Sequence, residues 1–441
     1  MEAGSFKIWG FILLVVFLLS FGVETSKIDF RSSVVTVDSL WNGKVYKISL
    51  YKSNQDSAVY HVFIPAGLTD VKGVFVHQHG CGMEGRGTAT AYDVQYQSFA
   101  KKWGLAIVGP DLYFKNNCHD WREPSSGSGE SLLLAIEKIG VTSGLSNLAI
   151  APWLLWGHSG GGYWTLAMMK AYPERIMANV CYSPAFDPKA DYPIAAAKIP
   201  TLIRHAGAND SNSPEGKCWI TANNAFHNLR KLGGLVSIAH TPYQNHNFSD
   251  IRYIAIPFYE AVLNKRLSGK AYASHQDMLS IDPKTGWLAD TLLNNTYPYA
   301  KVKDQQKKYA WLPDSLTASK WKEYVITGTI VDRTRPDAPF DLRLKRLHNV
   351  TVEVSWKADA DIESGIRCFH IYRGNQLIGR FPQNGDYQNF DRNGDDALPM
   401  SNLPELRTSV QFVKGDQETL SICTVNHFGM ESTRTTFENN D

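Results

Sequence analysis

The chain contains 441 residues, more than a single hydrophobic core usually supports, so we expect at least two domains. Its composition, with 43% hydrophobic and 20% charged residues, is typical of a globular protein and excludes an intrinsically disordered or low-complexity chain. The net charge of +2 gives no electrostatic reason to expect a nucleic acid or an anionic membrane surface as a partner.

The N-terminus differs from the rest of the chain. Lys7 precedes an apolar run over residues 8–23, and polar residues begin at Glu24. A short basic start before such a run predicts a secretory signal, or a signal anchor if it is not cleaved, within residues 1–26. We therefore expect the folded part to lie outside the cytoplasm, with a membrane as partner only if this segment is retained.

Residues 27–267 alternate between strand-like and helix-like segments. After leading strands within 28–63, short apolar runs predict strands at 74–76, 105–108, 153–156, 176–181, 201–203 and 235–238. Helical segments are predicted near 92–103, 131–139, 165–171, 223–232 and 254–263. Apolar runs without strict alternation suit strands buried on both faces. With helices between them they predict an α/β domain with a doubly wound, mostly parallel sheet.

Two further regions follow this domain. Residues 268–335 are interrupted by Pro283, Pro298 and Pro313, and we interpret them as an extension and linker with a helix near 317–324. Pro336 and Pro339 mark a boundary, because closely spaced prolines disfavour both helix and sheet. In residues 336–441 apolar residues recur at every second position, as in 350–356, which predicts a small all-β sandwich.

A catalytic motif lies at the end of the third predicted strand in this alternating series. Gly157, His158, Ser159, Gly160 and Gly161 match the pattern G-x-S-x-G of a nucleophile elbow. In such an elbow the serine occupies a sharp strand-to-helix turn, and small neighbours let the backbone approach itself. A strand candidate precedes the motif and a helix candidate follows it, so the required context is present. We predict that Ser159 is a nucleophile and that His158 packs in the elbow.

A serine hydroxyl needs a base and an acid that orients the base. Asp210 follows the predicted strand 201–203 and His246 follows the predicted strand 235–238. Both therefore leave the carboxyl ends of strands, where open α/β sheets place their sites. Their order after the serine is the one this kind of site requires. Alternatives remain: His240 for the base, and Glu215 or Asp187 for the acid, whereas His205 is interpreted as structural.

Acyl transfer also requires donors for the developing oxyanion. We expect these to be the backbone amides of Gly160 and of Cys81, which lies in the loop after the predicted strand 74–76. The Cys81 thiol is interpreted as buried or disulfide-bonded, not as a second nucleophile. No cysteine spacing resembles a structural zinc site, so neither a metal nor another cofactor is expected. One possible set of disulfides joins Cys81 with Cys118, Cys181 with Cys218, and Cys368 with Cys423, and the last pair would lie on one face of neighbouring strands.

The chain resembles two known families. His79-Gly80-Cys81, the segment 103–111 and the Gly-His-Ser-Gly-Gly elbow resemble the polyhydroxybutyrate depolymerase and feruloyl or acetylxylan esterase branch of the α/β hydrolases. The resemblance implies a serine esterase with a triad of Ser159, Asp210 and His246, acting on an ester substrate that could be polymeric. Residues 336–439 resemble a fibronectin type III module with a structural role. Competing hypotheses are a serine peptidase of the same fold and a catalytically silent extracellular binding protein.

Overall fold

The computed structural model describes residues 30–52, 56–186, 191–210, 217–246, 250–267, 269, 274–304, 306–348, 350–387, 405–412 and 419–438. The signal segment predicted within residues 1–26 lies outside these ranges. Among the described helices, none combines the length and the apolar character needed to cross a membrane.

A mixed sheet forms the centre of the larger domain. Its strands within the described residues are β1 (Arg31–Ser32), β2 (Thr36–Leu40), β3 (Gly43–Tyr51), β4 (Ser57–Pro65), β5 (Gly73–Gln78), β6 (Leu105–Tyr113), β7 (Trp153–His158), β8 (Ile176–Tyr182), β9 (Thr201–His205) and β10 (Val236–His240). The strand order is β1-β3-β4-β6-β5-β7-β8-β9-β10, and β2 pairs with β3. Strands β5 to β10 are mutually parallel, whereas the pairings among β1 to β4 and between β4 and β6 are antiparallel. The predicted mostly parallel sheet is therefore confirmed, and the antiparallel strands at one side make it a mixed sheet.

The side of β5 on which successive strands are added changes between β6 and β7. From β5 the chain crosses to β6 on one side, then returns past β5 to β7 and continues through β8, β9 and β10 on the other side. Strands β3 to β10 thereby have the order of the α/β-hydrolase sheet, in which the second strand alone is antiparallel. Such a reversal opens a crevice at the carboxyl ends of the two neighbouring strands, where ligands bind in open α/β sheets.

The sheet is buried on both faces, as its apolar strand sequences predict. Every residue of β7 and of β8 is buried, including Trp153 and Trp156. Burial of each such large apolar side chain stabilises the fold by roughly 1.5–3 kcal/mol relative to exposure. The covering helices are α1 (Arg86–Tyr92), α2 (Val94–Trp103), α3 (Cys118–Trp121), α4 (Ser128–Ser143), α5 (Gly160–Ala171), α6 (Ile194–Ala197), α7 (Cys218–Lys231) and α8 (Arg252–Arg266).

Residues 274–331 are more ordered than the linker expected from the sequence. Strands β11 (Trp287–Asp290), β12 (Asn295–Pro298) and β13 (Ala310–Leu312) form a small antiparallel sheet, and α9 (Ser315–Thr327) includes the predicted helix. This segment packs on the edge of the central sheet, because buried Trp321 donates to the carbonyl of Ile238 over 2.9 Å. Arg230 of α7 donates to the carbonyl of Tyr309 over 2.7 Å. The prolines therefore separate short strands and do not keep the segment extended.

The C-terminal part consists of two antiparallel sheets. One contains β14 (Phe340–His348), β15 (Thr351–Lys357) and β18 (Arg407–Gln411), and the other contains β16 (Cys368–Arg373), β17 (Gln376–Phe381), β19 (Leu420–Val425) and β20 (Thr435–Thr436). Side chains from both sheets share one core, which includes Val354, Trp356, Phe369 and Ile422. The alternating positions of β15 thus face inward as predicted, and the likeness to a fibronectin type III module remains a prediction.

This C-terminal part is docked on the larger domain through α2 and α8. The backbone N–H of Ala360 donates to Ser98 Oγ over 2.8 Å, and Gln95 Nε2 donates to the carbonyl of Ile362 over 2.9 Å. The rings of Tyr253 and Phe428 lie 5.7 Å apart. The contact therefore combines satisfied backbone hydrogen bonds with aromatic packing.

Two carboxyl groups meet beside this docked surface. Asn426 Nδ2 donates to Asp332 Oδ2 and to Asp361 Oδ2, over 3.1 and 3.2 Å. Burial and the charge of Asp332 raise the pKa of Asp361 to about 7. Burial opposes ionisation of Asp332 as well, but hydrogen bonds from Ser364 and Thr334 outweigh it and lower the pKa of Asp332. Asp361 therefore holds a proton in the folded state well above the pH at which a free carboxyl loses it.

A raised pKa predicts a pH-dependent contribution of Asp361 to stability. The contribution is fully present below the ordinary aspartate value of 3.8 and is lost as the pH rises toward about 7. We expect Asp361→Asn, which keeps a neutral polar group, to raise the melting temperature relative to wild type increasingly between those values. Asp337→Asn, at an exposed aspartate that precedes β14, is the control and should show a constant offset. Parallel melting curves for wild type and Asp361→Asn across this pH window would contradict the assignment.

Candidate active site

The predicted elbow has the strand–turn–helix geometry that its motif requires. Ser159 lies between β7 and α5 with φ 54° and ψ −118°, a conformation that non-glycine residues rarely adopt. Its backbone N–H donates to the carbonyl of Tyr182 over 2.9 Å. A Cβ at Gly157 would lie 2.1 Å from the carbonyl oxygen of Gly161, and one at Gly161 would lie 2.1 Å from that of Gln78. The glycines are therefore needed for the close backbone approach around the serine.

Asp210 and His246 meet although 36 residues separate them. His246 Nδ1 lies 3.1 Å from Asp210 Oδ1, and the Asp210 side chain is completely buried. Asp210 Oδ2 accepts a hydrogen bond from the backbone N–H of Ala206 over 2.9 Å. Asp210 follows β9 and His246 follows the neighbouring parallel strand β10, so both loops leave the same edge of the sheet. With Nδ1 held by the carboxylate, Nε2 is the ring nitrogen that can exchange a proton with a substrate or a nucleophile.

The loop that carries His246 lies directly beside the elbow. His158 Nε2 is 2.9 Å from the carbonyl oxygen of His246, and the two imidazole rings are 4.8 Å apart. The ring of His158 also stacks on Tyr182 at 4.8 Å. Complete burial, followed by the charge of His246, lowers the pKa of His158 well below its ordinary value. His158 is therefore a neutral packing residue that connects the serine turn to the histidine loop.

A buried arginine, which the sequence analysis did not single out, fixes the conformation of this loop. Arg204 of β9 donates from Nε to Thr241 Oγ1, from Nη2 to Gln244 Oε1 and from Nη1 to the carbonyl of Asn245, over 2.8, 2.8 and 2.9 Å. These three acceptors lie in the segment that leads to His246. A charged residue inside the apolar run of β9 is the sequence signal that could have identified it, because a fully buried arginine requires several acceptors.

The competing histidines are placed elsewhere. His240 and His205 stack on each other with ring centroids 4.7 Å apart. Burial, followed by the charge of His240, lowers the pKa of His205 to about 3. The histidine whose ring is hydrogen-bonded to Asp210 is His246. The alternative acids Asp187 and Glu215 lie outside the described residues.

The loop after β5 brings the second predicted amide next to the elbow. A Cβ at Gly160 would lie 3.5 Å from the backbone nitrogen of Cys81 and 2.4 Å from its Sγ. A Cβ at Gly80 would lie 3.1 Å from Cβ of Ser159. The loop therefore contacts the start of α5, where the first backbone N–H groups of the helix lack intrahelical partners.

One of the three proposed disulfides is present. Cys81 is bonded to Cys118 of α3, which excludes Cys81 as a second nucleophile. The pairings Cys181–Cys218 and Cys368–Cys423 are wrong, because all four residues are buried free thiols. Cys423 stands opposite His370 and Cys368 stands opposite Val425, so the two cysteines are offset along their strands. Both do lie on the strand face away from the sandwich core, as the alternation predicts.

Comparisons with known proteins give a partial likeness to esterases. No family model matches the chain. The chain is similar to the probable acetylxylan esterase A of Neosartorya fischeri, with 26% identity over 153 residues. That match covers 33% of this chain and 40% of the relative, well under two thirds of the relative's length.

Solved structures resemble the chain more loosely. An S-formylglutathione hydrolase from Agrobacterium tumefaciens has 14% identity and a TM-score of 0.38, covering 53% of this chain and 99% of that one. An acetyl xylan esterase from Aspergillus awamori has 14% identity and a TM-score of 0.30, covering 44% and 80%. The fold assignment above therefore rests on the strand order of this chain itself.

Two clusters within the described residues have metal-ligand chemistry. One consists of Asp210, Cys218 and His246, and the other of His370, Cys423 and Glu431, with ligand atoms within 4.8 Å of one another in each. In the first cluster, burial and then the charge of Asp210 raise the pKa of the Cys218 thiol, which disfavours the thiolate that a metal binds. In the second, His370 Nδ1 lies 2.7 Å from Glu431 Oε1. Hydrogen bonds thus account for the close approach of imidazole and carboxylate in both clusters.

A large cavity opens beside the site. It has a volume of about 970 Å³ and lies between the ends of β9 and β10, helix α7 and the small sheet β11-β12-β13. Trp219, Phe226, His240, Leu292 and Lys308 are among its lining residues. Neither the elbow serine nor the histidine of the acid–histidine pair lines it, so this cavity is separate from the position where an ester would meet the nucleophile.

Proposed function

We propose that this chain is a serine hydrolase that cleaves carboxylic esters through an acyl-enzyme intermediate. The observation that carries the proposal is the hydrogen bond between His246 and buried Asp210 in a loop that contacts the elbow of Ser159. The partial similarity to an acetylxylan esterase supports an ester as the substrate. In this assignment Ser159 is the nucleophile, His246 the general base and Asp210 the residue that orients the base.

The proposed mechanism needs only groups of this chain and a water molecule. Ser159 Oγ attacks the ester carbonyl carbon while its proton passes to Nε2 of His246. The amides of Gly160 and Cys81 donate to the oxyanion, which collapses and expels the alcohol with the proton from His246. Water then attacks the acyl-enzyme, His246 takes its proton, and the carboxylic acid leaves as Ser159 is restored.

A panel of chromogenic esters tests this function. We expect the mature protein to hydrolyse at least one of the acetyl, butyryl, 3-hydroxybutyryl and feruloyl esters, and the activity to be absent from Ser159→Ala. The ranking of the panel would identify the preferred acyl group. A folded protein that hydrolyses none of them contradicts the esterase proposal and favours the peptidase or silent binding alternatives, which activity-based profiling with peptide libraries then separates.

Export and a polymeric substrate are part of the same proposal. The apolar segment over residues 8–23 supports secretion, and esterases of the resembled branch act on polymers or on the acyl groups attached to them. The docked C-terminal domain fits a structural role in such a protein.

The disulfide beside the elbow gives a further expected result. The bond closes a loop of 37 residues, so its reduction should lower the free energy of unfolding by about 4 kcal/mol on the chain-entropy model. Displacement of the Cys81 amide should also lower kcat by as much as about 10²-fold. The other four cysteines are already thiols, so the double variant Cys81→Ser with Cys118→Ser should no longer respond to reductant. Unchanged unfolding and turnover after confirmed reduction would contradict a role for the bond.

A further inference from the structure

The residue after α3 is held close to the elbow. The backbone N–H of Arg122 donates to the carbonyl of Cys118 over 3.2 Å, and Cys118 is bonded to Cys81 in the predicted oxyanion loop. A Cβ at Gly160 would lie 3.4 Å from Cβ of Cys118. Helix α3 therefore packs against the residue that follows the nucleophile. Arg122 comes four residues after Cys118, one helical turn from this contact.

The guanidinium of Arg122 lies against two aromatic rings that are carried by segments next to Ser159. Its Cζ is 4.2 Å from the ring centroid of Phe186 and 5.3 Å from that of Tyr163. The backbone N–H groups of Tyr163 and Ala185 both donate to the carbonyl of Ser159, over 3.0 and 3.2 Å. Tyr163 thus makes one of these contacts itself, and Phe186 follows the residue that makes the other. With Arg122 they form a cluster beside the serine turn.

The charge of Arg122 is not neutralised within the described residues. Nε and Nη1 are buried and have no hydrogen-bond acceptor there. The neighbouring carboxylates are engaged otherwise: Glu123 accepts from the Tyr163 hydroxyl, and Asp120 accepts from Asn116 over 3.0 Å. Contacts with aromatic faces stabilise the cation but leave the in-plane N–H groups without acceptors. The side chain as a whole is partly exposed, and a cation with a buried, unpaired edge and no counter-charge is costly, so the arrangement favours an anion that approaches the accessible side of the guanidinium.

We propose that Arg122 binds a carboxylate of the substrate, so that the enzyme prefers esters carrying a carboxylate near the scissile bond. The inference rests on the proposed esterase function and adds a substrate class to it. A carboxylate neutralises the cation and accepts from its accessible N–H groups, whereas a neutral carbonyl only accepts. The carboxylate belongs either to the acyl part, as in a dicarboxylic half-ester, or to the alcohol part, as in a uronic acid that is acylated on a hydroxyl group.

The test compares matched charged and neutral esters. For the acyl part the pair is the hemisuccinyl and the butyryl ester of one chromogenic alcohol. For the alcohol part it is an O-acetylated methyl glucuronide and the corresponding O-acetylated methyl glucoside. The readout is the ratio of kcat/KM for the charged ester to that for its neutral partner, measured at low ionic strength because salt screens the interaction.

We expect wild type to prefer the charged ester in one of the two pairs, and that pair identifies the part that carries the carboxylate. Arg122→Met should lower the ratio by about 10- to 100-fold, the size expected for a hydrogen bond to a charged group. Arg122→Lys should retain part of the preference. Arg175→Met is the matched control, since Arg175 also lies over an aromatic ring, with Cζ 5.3 Å from the centroid of Trp153, and should leave the ratio unchanged.

The outcomes separate the inference from the proposed function. If the protein hydrolyses neutral esters through Ser159 but Arg122→Met leaves both ratios unchanged, the carboxylate site is wrong and the esterase proposal stands. An equal loss on charged and neutral esters gives Arg122 a structural role and also overturns the inference. If no ester of either pair or of the chromogenic panel is hydrolysed by folded protein, the proposed function itself fails.

Discussion

Ser159→Ala is expected to lower kcat for ester hydrolysis by roughly four or more orders of magnitude without unfolding the protein. The physical reason is that no acyl-enzyme can form without the hydroxyl. Only the proposed oxyanion donors, the amides of Gly160 and Cys81, then remain to stabilise a direct attack by water. Alanine keeps the Cβ of serine, so the substitution adds no backbone strain to that already present at φ 54°.

The measurement is steady-state turnover on the preferred ester, together with mass spectrometry after a serine-directed fluorophosphonate. Wild type should gain one adduct on the peptide that contains Ser159, and Ser159→Ala should gain none. Ser143→Ala, at the end of α4, is the matched control and should retain both turnover and labelling. Turnover above a few per cent in pure, folded Ser159→Ala would assign the nucleophile to another residue.

His246→Gln is expected to lower kcat by about four to six orders of magnitude, comparable with loss of the serine. Glutamine can still donate to Asp210 but cannot take the proton of Ser159. The matched variant is His240→Gln, because His240 ends β10, the strand that leads to His246, and is the alternative base. Its ring stacks on His205 at 4.7 Å, whereas the Asp210 carboxylate is hydrogen-bonded to His246, so we expect turnover within about threefold of wild type.

Reversed results for these two histidine variants would move the general base to His240. A large loss in both would mean that the stacked pair His205–His240 is needed to hold the end of β10 and its loop. Circular dichroism and melting temperature separate that structural effect from loss of the base, since His246→Gln should leave both near wild type.

The outline of the catalytic domain could be predicted from local sequence. Apolar runs with intervening helices predict a doubly wound sheet because each segment reports its own burial and period. Ser159 could be identified for the same reason, since the glycines, the strand before it and the helix after it are contiguous. Asp210 and His246 follow from one added rule, that loops after parallel strands meet at one edge of the sheet.

The residues that only the structure identified depend on distant partners. Arg204 has its acceptors about 40 residues further on, in the loop of His246. Arg122 is distinctive because Nε and Nη1 find no acceptor among the described residues, which no local pattern encodes. The linker prediction failed in a similar way, because Trp321 is ordered by the carbonyl of Ile238, 83 residues earlier in the chain.

The sequence by itself therefore determined the type and order of the main elements of the larger domain, the serine turn and the order of the acid and the histidine, because these depend on neighbouring residues and on the direction of parallel strands. The tertiary structure decided the insertion of β6 between β4 and β5, the single disulfide Cys81–Cys118 and the docking of the C-terminal sheets on α2. These depend on side chains that meet across long stretches of chain, such as Gln95 and Ile362, which are 267 residues apart. Local propensity and periodicity contain no information about such contacts, since their free energy arises only when both surfaces are formed.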